Sequence, residues 1–273
     1  MKKIKNGIFL FFFIICLCSN SFSQIFPDAV GEAKNAFWLA TGFKQDILKT
    51  NVPLLTSSTS IGIGRKSNPD NFNLFQKHQS FILKESLSVR LKPKWKMSLG
   101  LGYYKTRRYH DEAPFELLET PVQHEFRLSV TPTFQWTKNR FSMAANLSQE
   151  FRKYFAPKAG SINDDIQFRT RFRLLFSVNL DKEKVHKLVA TSEQLFSISK
   201  DKNPEQWTDF NYRESRFCFY YSLSPKNWHV TFDLGYMYNL IEGEKRLGVH
   251  YLAFDVVVKN LFKAKQLQTK DNS

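Results

Sequence analysis

The chain contains 273 residues, carries a formal net charge of +15 and is only moderately apolar, with 42% hydrophobic residues. Beyond its N-terminal segment no stretch is long and apolar enough to form a transmembrane helix, which excludes a helical membrane protein. Any passage of this chain through a membrane must therefore use β-strands.

The N-terminus has the form of a secretory signal. Lysines at positions 2, 3 and 5 precede an apolar run from Ile8 to Leu17, and small residues follow as far as Ser23. We predict a cleaved signal peptide over residues 1–23, with cleavage before Gln24. Cys18 raises the alternative of a lipoprotein signal, although the residues before it lack the small side chains that such a site needs.

Removal of the signal peptide leaves Cys218 as the single cysteine and lowers the formal charge to +12. An intramolecular disulfide is then impossible, which excludes a disulfide-stapled fold for an exported chain. A basic chain often binds nucleic acid, but export separates this one from it, and its basic residues interleave with aromatic residues. We therefore expect no nucleic-acid partner.

The segment Glu125–Trp136 alternates between polar and apolar residues. Its apolar side chains fall on one face of an extended chain, and its charged side chains, Glu125 and Arg127, fall on the other. The same period of two recurs over residues 141–152, 166–181 and 228–240, and helical spacing is absent. The sequence predicts an all-β protein with strands long enough to span a membrane.

The connections between the predicted strands alternate in length. The short polar turns contain Lys92–Lys94, Thr137–Asn139, Asp181–Lys184 and Ser224–Asn227. The longer charged segments cover 105–120, 153–165, 200–208 and 241–248. Short turns at one end and long loops at the other are typical of an outer-membrane barrel, with the turns in the periplasm.

Three tryptophans, Trp95, Trp136 and Trp228, lie beside these short turns in the apolar register of their strands. An indole ring is amphipathic and prefers the headgroup level of a membrane, so these residues are candidates for an interface girdle. Burial in an ordinary core is the alternative.

The cost of placing charge in lipid favours an arrangement with the polar face inside. Inverting the strand over 166–181 would expose three arginines to lipid, at roughly 2 to 4 kcal/mol each near the midplane. We therefore predict a charge network in the lumen. Its candidates are Glu125, Arg127, Glu150, Arg152, Arg169, Arg171, Arg173, Glu193, Arg216 and Asp233.

These patterns predict an antiparallel up-and-down transmembrane β-barrel of about ten strands over residues 36–262. An N-terminal periplasmic segment, 24–35, precedes it, and a disordered periplasmic tail, 263–273, follows it. An even strand count would keep both termini in the periplasm. Phe37–Ile47 and the segment near Ile61 compete for the first strand, so twelve strands are the alternative.

Two places fit this register poorly. Glu85 falls in the lipid-facing register, which predicts a register slip or a position above the membrane. The alternation also changes parity between Tyr212 and Phe217, and a β-bulge near Glu214 would restore it.

The chain resembles the uncharacterised bacterial family catalogued as domain of unknown function 2490. The resemblance rests on QHEFRLSV, DDIQFRTRFRLLFSV, ATSEQLFSIS, NYRESRFCFYYSL and LGYMYNL, in that order, within residues 36–262. It implies an outer-membrane barrel and supplies no catalytic residues.

Small barrels have interiors that side chains nearly fill. Arginines and carboxylates that cross-link the bore are therefore our favoured interpretation, and a conducting anion path is the alternative. We predict no catalytic residue, no cofactor and no metal site, because the isolated histidines and the acidic cluster at Asn163–Asp165 lack ligand spacing.

The leading functional hypothesis is a non-enzymatic outer-membrane barrel of a Gram-negative bacterium, either structural or narrowly permeable to a charged solute. One alternative is an outer-membrane lipid hydrolase, because His78 and Ser80 share a strand face as a base and a nucleophile would. Another is a soluble periplasmic barrel that holds a lipid in an apolar interior.

The expected partners follow from this location. The barrel would contact outer-membrane lipid and, during biogenesis, the barrel assembly machinery, whose assembly signal the strand ending at Phe262 resembles. Basic residues of the predicted extracellular loops would pair with lipopolysaccharide phosphates, with plain solvation as the alternative. These residues are Lys105, Arg107, Arg108, Lys153, Lys158, Lys200 and Lys202.

Overall fold

The structure, a computed structural model, describes residues 30, 33–49, 53–110, 112–155, 164–242, 247–262 and 265–266. The predicted signal peptide, most of the predicted segment 24–35, the loop residue Lys158 and most of the predicted tail lie outside the described residues. In the part of the chain that is described, no helix is long and apolar enough to cross a membrane.

The described residues form eleven long strands and two short ones. The long strands are β1 (Asn35–Lys49), β2 (Pro53–Lys66), β3 (Lys77–Lys92), β4 (Trp95–Tyr109), β5 (Leu117–Lys138), β6 (Phe141–Phe155), β7 (Asp164–Asn179), β8 (His186–Lys202), β10 (Asn211–Leu223), β11 (Val230–Ile241) and β12 (Leu247–Lys259). The short strands are β9 (Glu205–Trp207) and β13 (Lys265–Gln266), which extend the sheet beside β8 and β1.

The eleven long strands close into one barrel. Each long strand pairs antiparallel with the next along the chain, and β8 pairs directly with β10. The barrel is closed by a parallel pair, in which β1 runs beside β12 from Asn35↔His250 to Lys44↔Lys259. The predicted all-β barrel is confirmed, and its predicted antiparallel pairing holds except at this parallel closing pair.

The predicted strand count of ten, with twelve as the alternative, is wrong. Both segments that competed for the first strand are strands, because residues 37–47 lie in β1 and Ile61 lies in β2. The parallel closing pair permits an odd count. As a consequence β1 starts at the end of the barrel with the long connections, whereas β12 finishes at the end with the short turns.

The short turns occur where the sequence predicts them, between β3 and β4, β5 and β6, β7 and β8, and β10 and β11. Three of them contain a residue with a left-handed backbone, namely Asn139 (φ 54°), Lys184 (φ 61°) and Asn227 (φ 63°). Asparagine tolerates this conformation well, which explains two of the three positions. The opposite end carries the longer connections, 67–76 and 110–116 among them. We call these the short-turn end and the long-loop end.

The two faces of the barrel wall are inverted relative to a water-soluble barrel. Large apolar side chains point outward and are exposed around the wall, including Leu101 at 58%, Phe126, Phe172 and Leu234. Charged side chains point inward and are buried, as Asp233 and Arg216 show. The polar register predicted for the interior is therefore what the strands adopt.

Two local irregularities are now explained. The bulge predicted near Glu214 is confirmed, since the pairing of β10 with β8 shifts between Tyr212 and Glu214. Glu85 shows neither a register slip nor a position beyond the strands: it stays in register opposite Thr59 and Leu101, on the outer face. Hydroxyl groups of Ser57, at 2.6 Å, and of Thr59 donate hydrogen bonds to its carboxylate.

Candidate functional site

The charged interior is organised around four glutamates that alternation places on the inner face of the wall. Glu125 on β5 receives two arginines. Arg127, two residues along the same strand, donates from Nη2 to Oε2 at 3.0 Å, and Arg152, on β6, donates from Nη2 to the same oxygen at 2.8 Å. The Arg127 guanidinium also stacks over the Tyr104 ring, 3.5 Å from its centroid. One carboxylate thus ties β5 to β6.

Glu193 on β8 is the centre of a second cluster. Arg171 on β7 and Arg216 on β10 each lie 3.6 Å from Glu193 Oε1, and Arg173 on β7 pairs with Oε2. Glu193 is 2% exposed and Arg216 1%. Because the three arginines come from the strands on both sides of β8, this carboxylate joins three neighbouring strands.

Two further glutamates extend the second cluster. Glu150 on β6 forms an ion pair with Arg171, with Oε1 3.2 Å from Nη2, and its Oε2 accepts a hydrogen bond from the same nitrogen at 3.4 Å. Glu214, which follows the bulge in β10, lies 2.7 Å from Arg216 and 3.7 Å from Arg169, and Asn239 on β11 donates to it at 2.9 Å. The ion pairs therefore run without a break from β6 to β10, and the hydrogen bond from Asn239 extends the cluster to β11.

Nine of the ten predicted lumen residues are thus brought into ion pairs. Asp233 stands apart from both clusters, on β11, where it lies opposite Asp255 of β12 and is fully buried. Sequence reasoning missed Glu214, because the bulge left its face ambiguous. It also missed Gln167, which accepts from Arg152 and donates to Ser199 at 2.9 Å, although Gln167 lies in the same period-two register as the arginines.

The opposite wall of the interior carries small side chains. The inward positions of β2, β3 and β4 are mainly serine and glycine: Ser58, Ser60, Gly62, Gly64, Ser86, Ser88, Ser98, Gly100 and Gly102. Lys84 points inward from this wall yet remains exposed. Long paired side chains therefore lie on one side of the interior, and Lys84 on the other side stays accessible to solvent.

The arrangement required by the hydrolase alternative is not found. The pairing of β2 with β3 shifts between Gly64↔Ser80 and Arg65↔His78, which inserts Gln79 as an extra residue in β3. Ser80 is buried against Gly64 on the inner face, whereas His78 lies with Phe81 on the outer face. His78 and Ser80 therefore do not share a strand face.

The outer face has a pocket near the long-loop end. Its volume is about 390 Å³, and His78, Phe81, Tyr103, Lys105 and Arg107 line it. Two of these residues carry predicted loop charges, but they lie on β4, because that strand continues to Tyr109. The pocket combines aromatic walls with two cations at the edge of the apolar outer surface.

Other predicted loop cations are engaged within the protein. Lys153 lies 2.5 Å from Asp165, Lys202 lies 3.9 Å from the same carboxylate, and Lys200 pairs with Glu205. The girdle candidates Trp95, Trp136 and Trp228 are all exposed on the outside near the short-turn end. In the described residues no group of three or more His, Cys, Asp or Glu side chains is placed to hold a metal ion.

A family model matches residues 58–248 of the chain, which is more than half of its length. The chain belongs to the family described as Protein of unknown function (DUF2490). The match begins within β2 and ends within β12, so all residues of the two glutamate clusters lie inside the DUF2490 region. A comparison with curated proteins finds no match.

Proposed function

We propose that this DUF2490 protein is a non-enzymatic outer-membrane β-barrel that spans the bilayer with its charged face inside. The observation that carries the proposal is the inversion of the wall, with leucine and phenylalanine outward and ion pairs inward. Apolar surface left in water costs about 25 cal/mol per Å², so a belt of this kind is stable only where lipid covers it. The interior also holds a buried apolar cluster beside the ion pairs, with Trp38, Tyr220 and Met237 among its members.

Residues at the two ends of the apolar outer surface support the same arrangement of the barrel in the membrane. The exposed tryptophans Trp95, Trp136 and Trp228 lie near the short-turn end, where an aromatic girdle would meet the headgroups of the periplasmic leaflet. At the long-loop end the pocket with Lys105 and Arg107 places two cations beside aromatic walls. This is the chemistry that a phosphate-bearing outer-membrane lipid, such as lipopolysaccharide, would engage. The barrel assembly machinery remains the expected partner during biogenesis.

The interior supports a bracing role together with a narrow charged path. The glutamate clusters cross-link the strands from β5 to β11 by ion pairs and hydrogen bonds, whereas Lys84 on the serine-rich wall of β2 to β4 stays accessible to solvent. A path of this kind would favour anions, because its accessible charge is a cation and the carboxylates opposite are already paired.

Cell fractionation with gel migration tests the proposal. We expect the protein only in detergent-extracted outer membrane, with a folded form that migrates differently before and after boiling. A matched variant, Leu101→Ser, should keep this behaviour, because serine is uncharged. Recovery of the folded protein from the soluble periplasm would contradict the proposal.

A further inference from the structure

Four lysines point into the barrel at its short-turn end: Lys44 on β1, Lys96 on β4, Lys187 on β8 and Lys259 on β12. Lys44 and Lys259 are direct neighbours in the parallel closing pair. Lys96 lies opposite the buried Thr133, and Lys187 lies opposite Ser222, both on the inner face. We call these four residues the lysine cluster.

The lysine cluster converges from three sides of the barrel. β1 and β12 are adjacent, β4 is three strands away in one direction, and β8 is three strands away in the other. All four lysines lie on the inner face of their strands and near the same end of the barrel, so their side chains extend toward the same part of the bore. The charge of Lys44 interacts with the charges of Lys96, Lys259 and Lys187.

The lysine cluster differs from the arginines higher in the bore. Every arginine of the two glutamate clusters has a carboxylate within ion-pair distance, whereas among the described residues none of the four lysines makes an ion pair or a side-chain hydrogen bond. The half-buried ammonium groups repel one another. A bound anion that neutralises this repulsion would stabilise the folded protein.

Two acidic groups lie near the lysine cluster, fewer than its four lysines. Asp46 on β1 is held by Thr56 Oγ1 and by Asn260 Nδ2, each at 3.0 Å. Asp233 on β11 interacts electrostatically with Lys187 and Lys259. Arg90 on β3 and Lys184 in the turn before β8 add further positive charge nearby.

We propose that the lysine cluster is a binding site for a small polyvalent anion of the phosphate class that enters from the short-turn end. Ammonium groups on flexible stems bind a phosphate as point charges, and several of them around one space can each donate to a different oxygen. The glutamate clusters lie farther along the bore and present carboxylates, so the anion is retained at the lysine cluster. The anion site would be part of the proposed charged path, and its biological role rests on the proposed function of the barrel.

Calorimetric titration of the folded protein with inorganic pyrophosphate tests this site. The full chain is folded in a nonionic detergent without phospholipid, at fixed ionic strength set with sodium chloride. We expect saturable binding that the double variant K44Q/K259Q weakens at least tenfold. The control, K94Q/K138Q, removes the same charge from exposed lysines at the same end of the barrel and should bind like the parent protein.

Urea unfolding supplies a second readout that does not depend on heat signals. Pyrophosphate should raise the midpoint of urea unfolding for the parent protein. K44Q/K259Q should start from a higher midpoint, because repulsion is relieved, and the same pyrophosphate concentration should raise its midpoint by less. Heat-modifiable migration verifies that each variant is folded.

Three outcomes would overturn the site: no saturable binding by the folded parent protein, equal binding by K44Q/K259Q, or binding of dihexanoyl phosphatidic acid without pyrophosphate binding, which would identify a lipid headgroup site instead. The binding measurement is independent of where the protein resides. A soluble periplasmic location would contradict the proposed function and leave the titration interpretable.

Discussion

Glu193 and Arg216 lie directly opposite each other on β8 and β10, with Glu193 Oε1 3.6 Å from Arg216 Nη1, and both side chains are almost completely buried. The same carboxylate also serves Arg171 and Arg173. The pair therefore sits at the point where one negative charge balances several positive charges in the core of the barrel.

Removing this carboxylate should destabilise the barrel strongly. Glu193→Gln keeps the shape of the side chain but leaves buried arginines without a counter-charge, and we expect a loss of about 3–5 kcal/mol in the free energy of unfolding. Urea titration of the folded protein in detergent measures it. As a control, Glu183→Gln breaks the exposed pair with Lys226, 2.5 Å apart, and should cost at most about 1 kcal/mol. Equal effects would show that the interior is hydrated like the surface.

A charged side chain on the apolar outer face should lower the stability of the barrel only when the barrel lies in a membrane. Phe172 is the outward residue opposite Leu147 and Gln194 near the middle of β7. Phe172→Arg should reduce stability in lipid vesicles by roughly 2 to 4 kcal/mol. Phe72→Arg, in the exposed connection between β2 and β3, should change it by less than about 0.5 kcal/mol. A tolerated arginine at position 172 would mean that water contacts the apolar outer face.

Gly62 should be required for the position of the single buried tryptophan of β1. A Cβ at Gly62 would overlap the Trp38 ring, which also lies beside Gly64 of β2. We expect Gly62→Ala to lower the free energy of unfolding by about 1–3 kcal/mol. The double variant Gly62→Ala/Trp38→Phe should recover part of this loss, since the smaller ring makes room. Additive losses in a double-mutant cycle would exclude direct contact as the cause.

The turn between β7 and β8 should make the free energy of unfolding depend on pH in the acid range. Backbone N–H groups of His186, at 2.8 Å, and of Val185, at 3.0 Å, donate to the Asp181 carboxylate and hold its pKa below the ordinary value of 3.8. A lowered pKa in the folded state means that this carboxylate stabilises the fold above about pH 3.8 and that the contribution is lost as the pH falls through the folded-state value.

Asp181→Asn tests this dependence. The variant should unfold at lower urea concentration than the parent protein at neutral pH, and the difference should shrink as the pH falls below 3.8. Asp201→Asn, at the long-loop end of β8, is the matched control for loss of one carboxylate. A difference between parent and Asp181→Asn that stays constant with pH would contradict the role assigned to the carboxylate.

The sequence predicts most of the wall because a period of two needs only local information. On β7, for example, the alternation of Arg169, Arg171 and Arg173 is enough to identify the inner face. The strand count could not be obtained in this way, because it depends on how β1 meets β12, a contact between residues more than 200 positions apart. Without knowledge of that contact, the prediction assumed an even number of strands, whereas the barrel has eleven long strands.

The candidate site shows the same division between local and distant information. The inward direction of Glu193 follows from its strand, but its partners lie on β7 and β10 and required the pairing register. The lysine cluster was hidden for the same reason, since its members are spread over four strands. Glu85 could be placed only once Ser57 and Thr59 were known to face it.

The most direct test of the central claim compares adjacent positions on β5. Leu128 points outward and Ser129 points toward the interior, where its hydroxyl lies beside Gly100. A nitroxide label is attached to Leu128→Cys or Ser129→Cys in a Cys218→Ser background, reconstituted in vesicles, and probed with oxygen and with a water-soluble nickel chelate. We predict that the label at 128 meets oxygen in the lipid and excludes the chelate, and that the label at 129 shows no lipid-like oxygen accessibility. Access of the chelate to position 128 would contradict a membrane-spanning barrel with its charges inside.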